Sequence, residues 1–539
     1  MACECTRAGP PPVPSVDVSP TPAPSPPSPP SPPSPPSPFL SPTPTQQSNP
    51  NCPPYQQVCG SKSVVVCVHE DWNGGAGNGL GTLYAYQKAV AKAATMGCDV
   101  PAMLAAGKSM AIYHTAGKGT RLAPLPGAEN NNKPGVKLPA LLKCDGEYTL
   151  MTILESVLRQ TSSYAAVRPS RVSVFWGDQI FVPSTGIQPS THAADILAAL
   201  RPMPTKEQWE KEELHQYGLV ATDAKGGACQ LEKVTYDTAM EYLPSDVQMV
   251  GTSLGSFSMS AELTTALCDE FAGELKEKTA SYDSDPHFWM PLTLKRADYL
   301  AVMAKKDTPE AESGAHFDRM AAFAKKFQPA GGALLGAVDV GQAAYWWDYG
   351  RLGLYMENNL VLTEQNASAH ALRVFLGLAK EPVQESSVDG STVEAGAIVL
   401  NTKVGAGSKV DKTSVLANVV APKVDVEGCV LVNVTSSVPI VGRNGMLYNV
   451  VHEAKEGELS ASAVRADVFM PGGVHHVMNS SLETDGGKAW KIAPEEGKFP
   501  ATAGNPMSFE GIYKTNGKLD VSECTNEAIA AHKKLRTSM

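Results

Sequence analysis

The chain has 539 residues, a formal net charge of -10 and hydrophobic side chains at 42% of its positions. That length allows two or three domains, and the acidic balance excludes an extended nucleic-acid footprint while leaving room for a local basic pocket. No apolar run of about 18 residues or more is present, so nothing is expected to span a membrane.

Residues 1–60 are rich in proline and serine, with a repeated Ser-Pro-Pro run from Ser25 to Phe39. Such a segment favours extended polyproline II and builds no core, so it reads as a disordered leader. Docking to a proline-recognising partner is its functional alternative. No charged-then-apolar signal precedes it, and Arg7 is the only basic residue before Lys62. A cytoplasmic protein is therefore expected, with a plastid as the alternative. The eleven cysteines show neither a CxxC pair nor zinc spacing and read as reduced, mostly buried thiols. Cys3 and Cys5 are candidates for a lipid, and the sequons at Asn366, Asn433 and Asn479 mean little without a secretory signal.

From Lys62 to about Lys380, short apolar runs alternate with helical stretches, the pattern of an α/β domain. Strands are expected at Val64–Val68, Met110–Tyr113, Val172–Trp176 and Leu219–Thr222. Helices are expected at Leu83–Ala94, Leu150–Gln160, Ala261–Lys278 and Tyr349–Leu360. After Val388 a six-residue period begins: Ile398, Val404, Val410 and Leu416, resumed at Val424 and Val430 after Pro422, with Asn401, Asn418 and Asn433 among the residues between. This period marks a parallel β-helix, and its extent allows two to three coils before it fades near Pro439. Residues 440–539 carry isolated strand and helix patterns with no assignable role. The domain reading is a leader at 1–60, an α/β domain at 61–385, and a β-helix with C-terminal extension at 386–539.

Chemistry concentrates after the strand at Met110–Tyr113, which empties into Ala116-Gly117-Lys118-Gly119-Thr120-Arg121. Gly117 and Gly119 let the backbone turn tightly and bring N–H groups against phosphate oxygens, while Arg121 and Lys133 add fixed positive charge. A nucleoside triphosphate suits this combination best. The loop lacks the Gly-Lys-Ser/Thr ending of a Walker loop and the third glycine of the dinucleotide fingerprint.

Residues 115–139 resemble the signature of the sugar-1-phosphate nucleotidylyltransferases, the NDP-sugar pyrophosphorylases that include ADP-glucose, UDP-glucose and GDP-mannose enzymes. Four later segments follow that family's order. Gly177-Asp178-Gln179-Ile180-Phe181 resembles the segment with a magnesium-binding Asp. Leu231-Glu232-Lys233 resembles the Glu-Lys-Pro segment, with Val234 replacing the proline. Val250–Phe257 resembles the sugar-pocket strand with its glycine, here Gly255. Tyr345-Trp346-Trp347-Asp348-Tyr349-Gly350, followed by Tyr355, Asn358 and Asn359, resembles the segment with the second magnesium ligand.

The resemblance implies a Rossmann-like sheet of the nucleotide-diphospho-sugar transferases, followed by a short left-handed parallel β-helix. It also implies a reaction: a sugar-1-phosphate, by default glucose-1-phosphate, attacks the α-phosphorus of an NTP and releases pyrophosphate with Mg²⁺. Arg121, Lys133, Asp178 and Asp348 take the catalytic roles, with Asp178 and Asp348 as the metal ligands. Ala116, Gly117, Gly119, Thr120, Arg121 and Lys133 face the NTP, with Lys137 as an additional candidate. Glu232, Lys233 and Gly255 face the sugar phosphate.

The interval from Arg121 to Asp178 is short for the family's base-binding segment, whereas Asn78-Gly79-Leu80-Gly81-Thr82-Leu83 resembles that segment. The sheet is therefore read as circularly permuted, with residues 62–97 supplying a strand and the base pocket, and Gly79 joins the NTP set. Neither nucleic acid nor membrane is expected as a partner, and the flat faces of the β-helix suggest a homo-oligomer. The competing readings are a hexapeptide acyltransferase, disfavoured because residues 391–437 contain no His base, and a non-catalytic regulatory or scaffold subunit, disfavoured because all four charged catalytic residues are present.

Overall fold

The computed structural model describes residues 63–539 except 73, 116, 145 and 328–333. The leader at 1–60 and Ala116 lie outside the described residues. Residues 63–72 form no strand, and Val64 and Val68 are exposed, so the strand expected at Val64–Val68 is absent. The segment instead leads into a helix, Gly77–Thr95, that carries the expected Leu83–Ala94 and begins six residues earlier.

That helix covers a seven-stranded mixed sheet. In chain order the strands near the site are β1 (Met110–His114), β2 (Lys137–Cys144), β3 (Glu147–Thr152), β4 (Arg171–Trp176), β5 (Gln179–Val182), β6 (Ala194–Pro202), β7 (Gly218–Asp223), β8 (Ala228–Glu232), β9 (Val247–Ser260), β10 (Leu335–Asp339) and β11 (Tyr345–Asp348). The main sheet runs β1-β4-β9-β6-β10, with β7 on β9 and β8 on β7. β1 and β4 are parallel, as are β6 and β10, and the long β9 runs antiparallel between them. β2 and β3 form a separate hairpin, and β5 and β11 a separate antiparallel pair.

Alternation along the strands sends side chains to two cores. Val172 and Val174 pack with Ile112, Phe257 and Leu80 on one face, while Phe175 meets Leu197, Val338 and Tyr164 on the other. Three expected helices are revised. Residues 150–152 belong to β3, and the helix Ile153–Ala166 starts after Thr152, which forms a reciprocal capping box with Glu155. The stretch 261–278 splits at Phe271 into Ala261–Glu270 and Ala272–Glu277. The helix expected at Tyr349 begins at Leu352, because Tyr349–Arg351 make the turn out of β11.

The C-terminal region is a parallel β-solenoid of about five turns. Ile398 pairs with Val415, Val415 with Val430, Val430 with Met446 and Met446 with Val464, so the coils continue well past Pro439. The steps between these paired residues, 17, 15, 16 and 18, depart from a constant three times six, which is why the repeat fades in sequence while the stack goes on. Val404, Val410, Leu416 and Val424 fill the solenoid interior. Ile398 and Val430, although on the same period, face outward and pack with Leu138, Ala140 and Tyr355 of the α/β part. One outer face of the solenoid is therefore covered, over these coils, by the chain's own residues.

Asn401, Asn418, Asn433 and Asn449 occupy equivalent corners of successive coils, each with φ between 45° and 59°. Asparagine is among the few side chains that tolerate this left-handed conformation. Their amides form a file, Asn401 to Asn418 at 3.1 Å, Asn418 to Asn433 at 2.7 Å and Asn433 to Asn449 at 2.6 Å. An antiparallel hairpin partner, Val474–Ser480, ends the stack, and the helix Val521–Ser538 lies across the asparagine file. Cys229, Cys268, Cys429 and Cys524 are free and buried, as expected for reduced thiols. No helix among the described residues is long and apolar enough to cross a membrane.

Candidate active site

Parallel pairing of β1 and β4 puts His114 opposite Trp176, so the glycine loop and Gly177-Asp178 leave the sheet side by side at its C-terminal edge. Such an edge is where an open α/β sheet presents its ligands. The Gly177 N–H donates to the His114 carbonyl at 3.0 Å, which closes the gap between the two loops. A cleft of about 390 Å³ opens there, lined by Gly117, Lys133, Asp178 and Trp176, and by Gly77 and Asn78 from the far side.

Asp348 arrives by a different route. Antiparallel pairing of β11 with β5 sets it opposite Gln179, one residue from Asp178. The Tyr349 N–H donates to the Asp178 carbonyl at 2.9 Å, and Asn358 donates its amide to the Asp348 carbonyl at 2.8 Å. Lys133 is ion-paired with Asp178. Gly350 shows how tightly the group converges: a Cβ there would lie 2.8 Å from Asp178 Oδ2, 2.9 Å from Asp348 Oδ1 and 3.6 Å from Lys133 Nζ. Gly350→Ala is accordingly expected to push the two carboxylates apart and lower turnover by about 10², with a melting temperature close to wild type. Wild-type turnover in this variant would show that the two groups do not act together.

The N-terminus of the helix Gly77–Thr95 forms the opposite wall. Gly77 has φ 71° and no room for a side chain, since a Cβ would sit 2.5 Å from the Tyr282 carbonyl oxygen. Gly79 lies against the same segment and donates its N–H to that oxygen at 2.9 Å. Gly79 thus positions the wall, while Gly77 and Asn78 are the residues that reach the cleft. Asn78 is held by its N–H to Asp283 Oδ1 at 3.0 Å and by Ser284 N–H to its own Oδ1 at 2.6 Å.

His114 and Glu70 also line the cleft and were not anticipated. The Thr82 hydroxyl donates to the Asn78 carbonyl at 2.7 Å, so its oxygen is left to accept from His114 Nε2 at 2.7 Å. This assigns the Nε2–H tautomer. Burial lowers the His114 pKa to about 4, so the ring is neutral at physiological pH, and it packs on Trp176 with centroids 5.1 Å apart.

Other expected residues sit less centrally. Gly119, with φ 64°, packs its Cα side against Lys133, and Thr120 opens the 3-10 turn Thr120–Leu122. Arg121 is exposed and makes no ion pair among the described residues. Lys137 points away from the cleft and pairs with Glu129 at 2.5 Å. Gly255, with φ 71°, lies beneath the Trp176 indole, where any side chain would overlap the ring. Glu232 and Lys233 stand at the end of β8, outside the cleft lining, with Lys233 Nζ 3.8 Å from Glu232 and largely exposed. A path through Gly218 and Ser253 links Glu232 to Gly255, since a Cβ on Gly218 would lie 2.9 Å from Glu232 Oε2 and 3.9 Å from Ser253 Cβ.

Near Glu232 the segment Asp285–Trp289 forms a π-helical turn. Burial raises the Asp285 pKa to about 7, and the negative charge of Glu232 adds to the shift. An unfolded Asp has already lost its proton by about pH 4, so between about pH 4 and 7 the folded state binds more protons and stability falls as pH rises. Asp285→Asn is expected to flatten that fall, measured as melting temperature against pH. An unchanged profile would show that another group is responsible.

The signature loop is buttressed from a region that had no assignable role. Asn131 donates to the Tyr513 carbonyl at 2.7 Å and Asn516 to the Gly127 carbonyl at 2.8 Å. Gly486 packs directly on the Thr120 carbonyl. No local pattern signals this support, because its partners lie hundreds of residues apart in the chain.

No protein-family model matches the chain, and no curated protein matches it either. Among solved structures it is similar to a mannose-1-phosphate geranyltransferase from Thermus thermophilus, with a TM-score of 0.25 and 14% sequence identity, covering 69% of this chain and 94% of that one.

Proposed function

We propose that the chain is a sugar-1-phosphate nucleotidylyltransferase that joins an NTP and a sugar-1-phosphate, by default glucose-1-phosphate, and releases pyrophosphate. The observation that carries this reading is the convergence of Lys133, Asp178 and Asp348 around Gly350 at the mouth of a cleft bordered by Gly117. Asp178 lines the cleft and Asp348 converges with it on Gly350, and a pair of carboxylates suits Mg²⁺, which takes few protein oxygens and fills its shell with water and substrate phosphate. Asp178 and Asp348 are the residues that would hold the ion, which would offset charge on the transferring nucleotidyl group.

The remaining work is positioning and charge neutralisation. Lys133 moves from Asp178 to the phosphates when substrate enters, exchanging one anionic partner for another. Arg121, exposed on the signature loop, closes over the triphosphate with its forked donors. The N–H groups of Gly117, Gly119 and Thr120 border the phosphates, with Ala116 preceding them. Gly77 and Asn78, set in place by Gly79, face the base, and neutral His114 offers Nδ1 as an acceptor beside it. Glu232 and Lys233 swing toward Gly255 to take the sugar and its phosphate.

The deciding experiment measures pyrophosphate release across a grid of NTPs and sugar-1-phosphates, with and without Mg²⁺. Release confined to one pair and dependent on the metal supports the reading. A blank grid would overturn it in favour of a regulatory or scaffold subunit.

A further inference from the structure

A second cavity, of about 420 Å³, lies apart from the cleft where three elements meet: the asparagine file of the solenoid, the helix Val521–Ser538, and the segment after the signature loop. Its charged and titratable lining consists of Glu129, Lys137, His532, Lys533 and Arg536, together with the thiol of Cys524. The charges do not balance. Glu129 is the only carboxylate in that lining, and it is already bound to Lys137 at 2.5 Å and to the Tyr448 hydroxyl at 2.5 Å. His532 is buried, and burial lowers its pKa to about 3, so it adds no charge at physiological pH. Among the described residues, Lys533 and Arg536 remain as unmatched cations.

Arg536 is the more telling of the two. Its guanidinium donates to the Thr435 hydroxyl at 3.0 Å, to Asn418 Oδ1 at 3.3 Å and to the Asn418 carbonyl at 3.3 Å, all neutral acceptors. Burial lowers its pKa, and no neighbouring carboxylate offsets that shift. A half-buried guanidinium without an anion is costly to the fold unless something supplies one. The amides of Asn418, Asn433 and Asn449 are mostly engaged with one another and with His532, Ala128 and Asp467, which leaves a second Asn418 N–H and a lone pair on Asn433 Oδ1 for a hydroxyl group.

We propose that this cavity is a second ligand site that takes a small phosphate-bearing anion, held by Arg536 and Lys533 and flanked by the asparagine file. Arg536 supplies the forked donors that match a phosphate, and Lys533 supplies a point charge. Inorganic phosphate and a hexose phosphate share this chemistry, and the amides favour the second. Lys137 and Glu129 line the same cavity, so binding bears on the segment that continues from the signature loop.

The test is isothermal titration of the full chain with inorganic phosphate and, separately, glucose-6-phosphate, without nucleotide or metal. Lys133→Gln removes the cleft as a competing phosphate site, and Arg536→Gln and Lys533→Glu address the cavity. Binding that persists in Lys133→Gln and weakens about tenfold or more in each cavity variant, the loss of one charge-assisted hydrogen bond or ion pair, is the expected result. Tighter binding of glucose-6-phosphate than of phosphate identifies the hexose phosphate as the occupant; equal binding identifies phosphate alone. Lys533 is exposed, so Lys533→Glu keeps the test decisive if Arg536→Gln fails to fold. Absence of binding in the wild type, or binding lost in Lys133→Gln and retained in Lys533→Glu, overturns the proposal. The readout is binding, so it is independent of whether the cleft transfers a nucleotide.

Discussion

Asp348→Asn is expected to lower Mg²⁺-dependent turnover by at least about 10²–10³-fold, the loss typical of removing one preorganised charged or polar group from a transition-state site. The reasoning is local. Asp348 Oδ1 accepts the Gly350 N–H at 2.6 Å, and its carbonyl accepts the Asn358 amide at 2.8 Å. An asparagine keeps the size of the side chain and, through its own Oδ1, the Gly350 contact, while removing the charge. The melting temperature therefore stays near that of the wild type while metal-dependent pyrophosphate release collapses. Turnover within about twofold of wild type, far short of the loss of such a group, would remove Asp348 from the metal site.

The largest effect on stability is expected from a residue that touches no substrate. Asp195 is fully buried on β6, where it accepts from Arg171 Nη2 at 3.2 Å and from the His192 N–H at 3.1 Å, and contacts His192 Nδ1 at 2.9 Å. Arg171 spans β4, β9 and the segment before β6, donating also to Ser258 and to the carbonyls of His192 and Ala193. A second buried guanidinium, Arg168, stands close enough to feel the charge of Arg171, and burial lowers the pKa of Arg168 to about 10. Asp195→Ala would leave two buried cations with no anion, a loss of about 3–5 kcal/mol. Chemical denaturation followed by circular dichroism measures this directly. A change below about 1 kcal/mol would show that water reaches Arg171 and that the pair behaves as a surface ion pair.

Much of the candidate site was legible in the sequence for a definite reason. Lys133, Asp178 and Asp348 each stand at a turn or strand end in a segment that resembles the nucleotidylyltransferase pattern, and that resemblance is what singled them out. Turns of this kind are set by local chemistry: glycine at positive φ, or a charged residue where a strand stops. What sequence could not supply was the spatial order. Lys137, an additional candidate beside Lys133, turns to Glu129. His114 and Trp176 become neighbours only through the register of β1 on β4, which no local pattern encodes. The strand expected at Val64–Val68 failed because an apolar run becomes a strand only on a sheet edge, and Val64–Val68 join no sheet among the described residues.

The solenoid shows the same division. Its six-residue period declared the architecture, and the asparagines that recur at its corners follow from a left-handed backbone angle. The period did not say which valines face inward. Ile398 and Val430 turn outward because the α/β part presents Leu138 and Ala140 to them. Sequence alone thus determined most of the element types and the existence of the repeat, since each depends on residues a few positions apart. Tertiary structure alone decided the sheet order, the length of the solenoid, the closing of the cleft by Gly77 and Asn78, and the bracing of the signature loop by Tyr513 and Asn516. Those features rest on pairings between distant segments, whose free energy exists only once the chain has closed on itself.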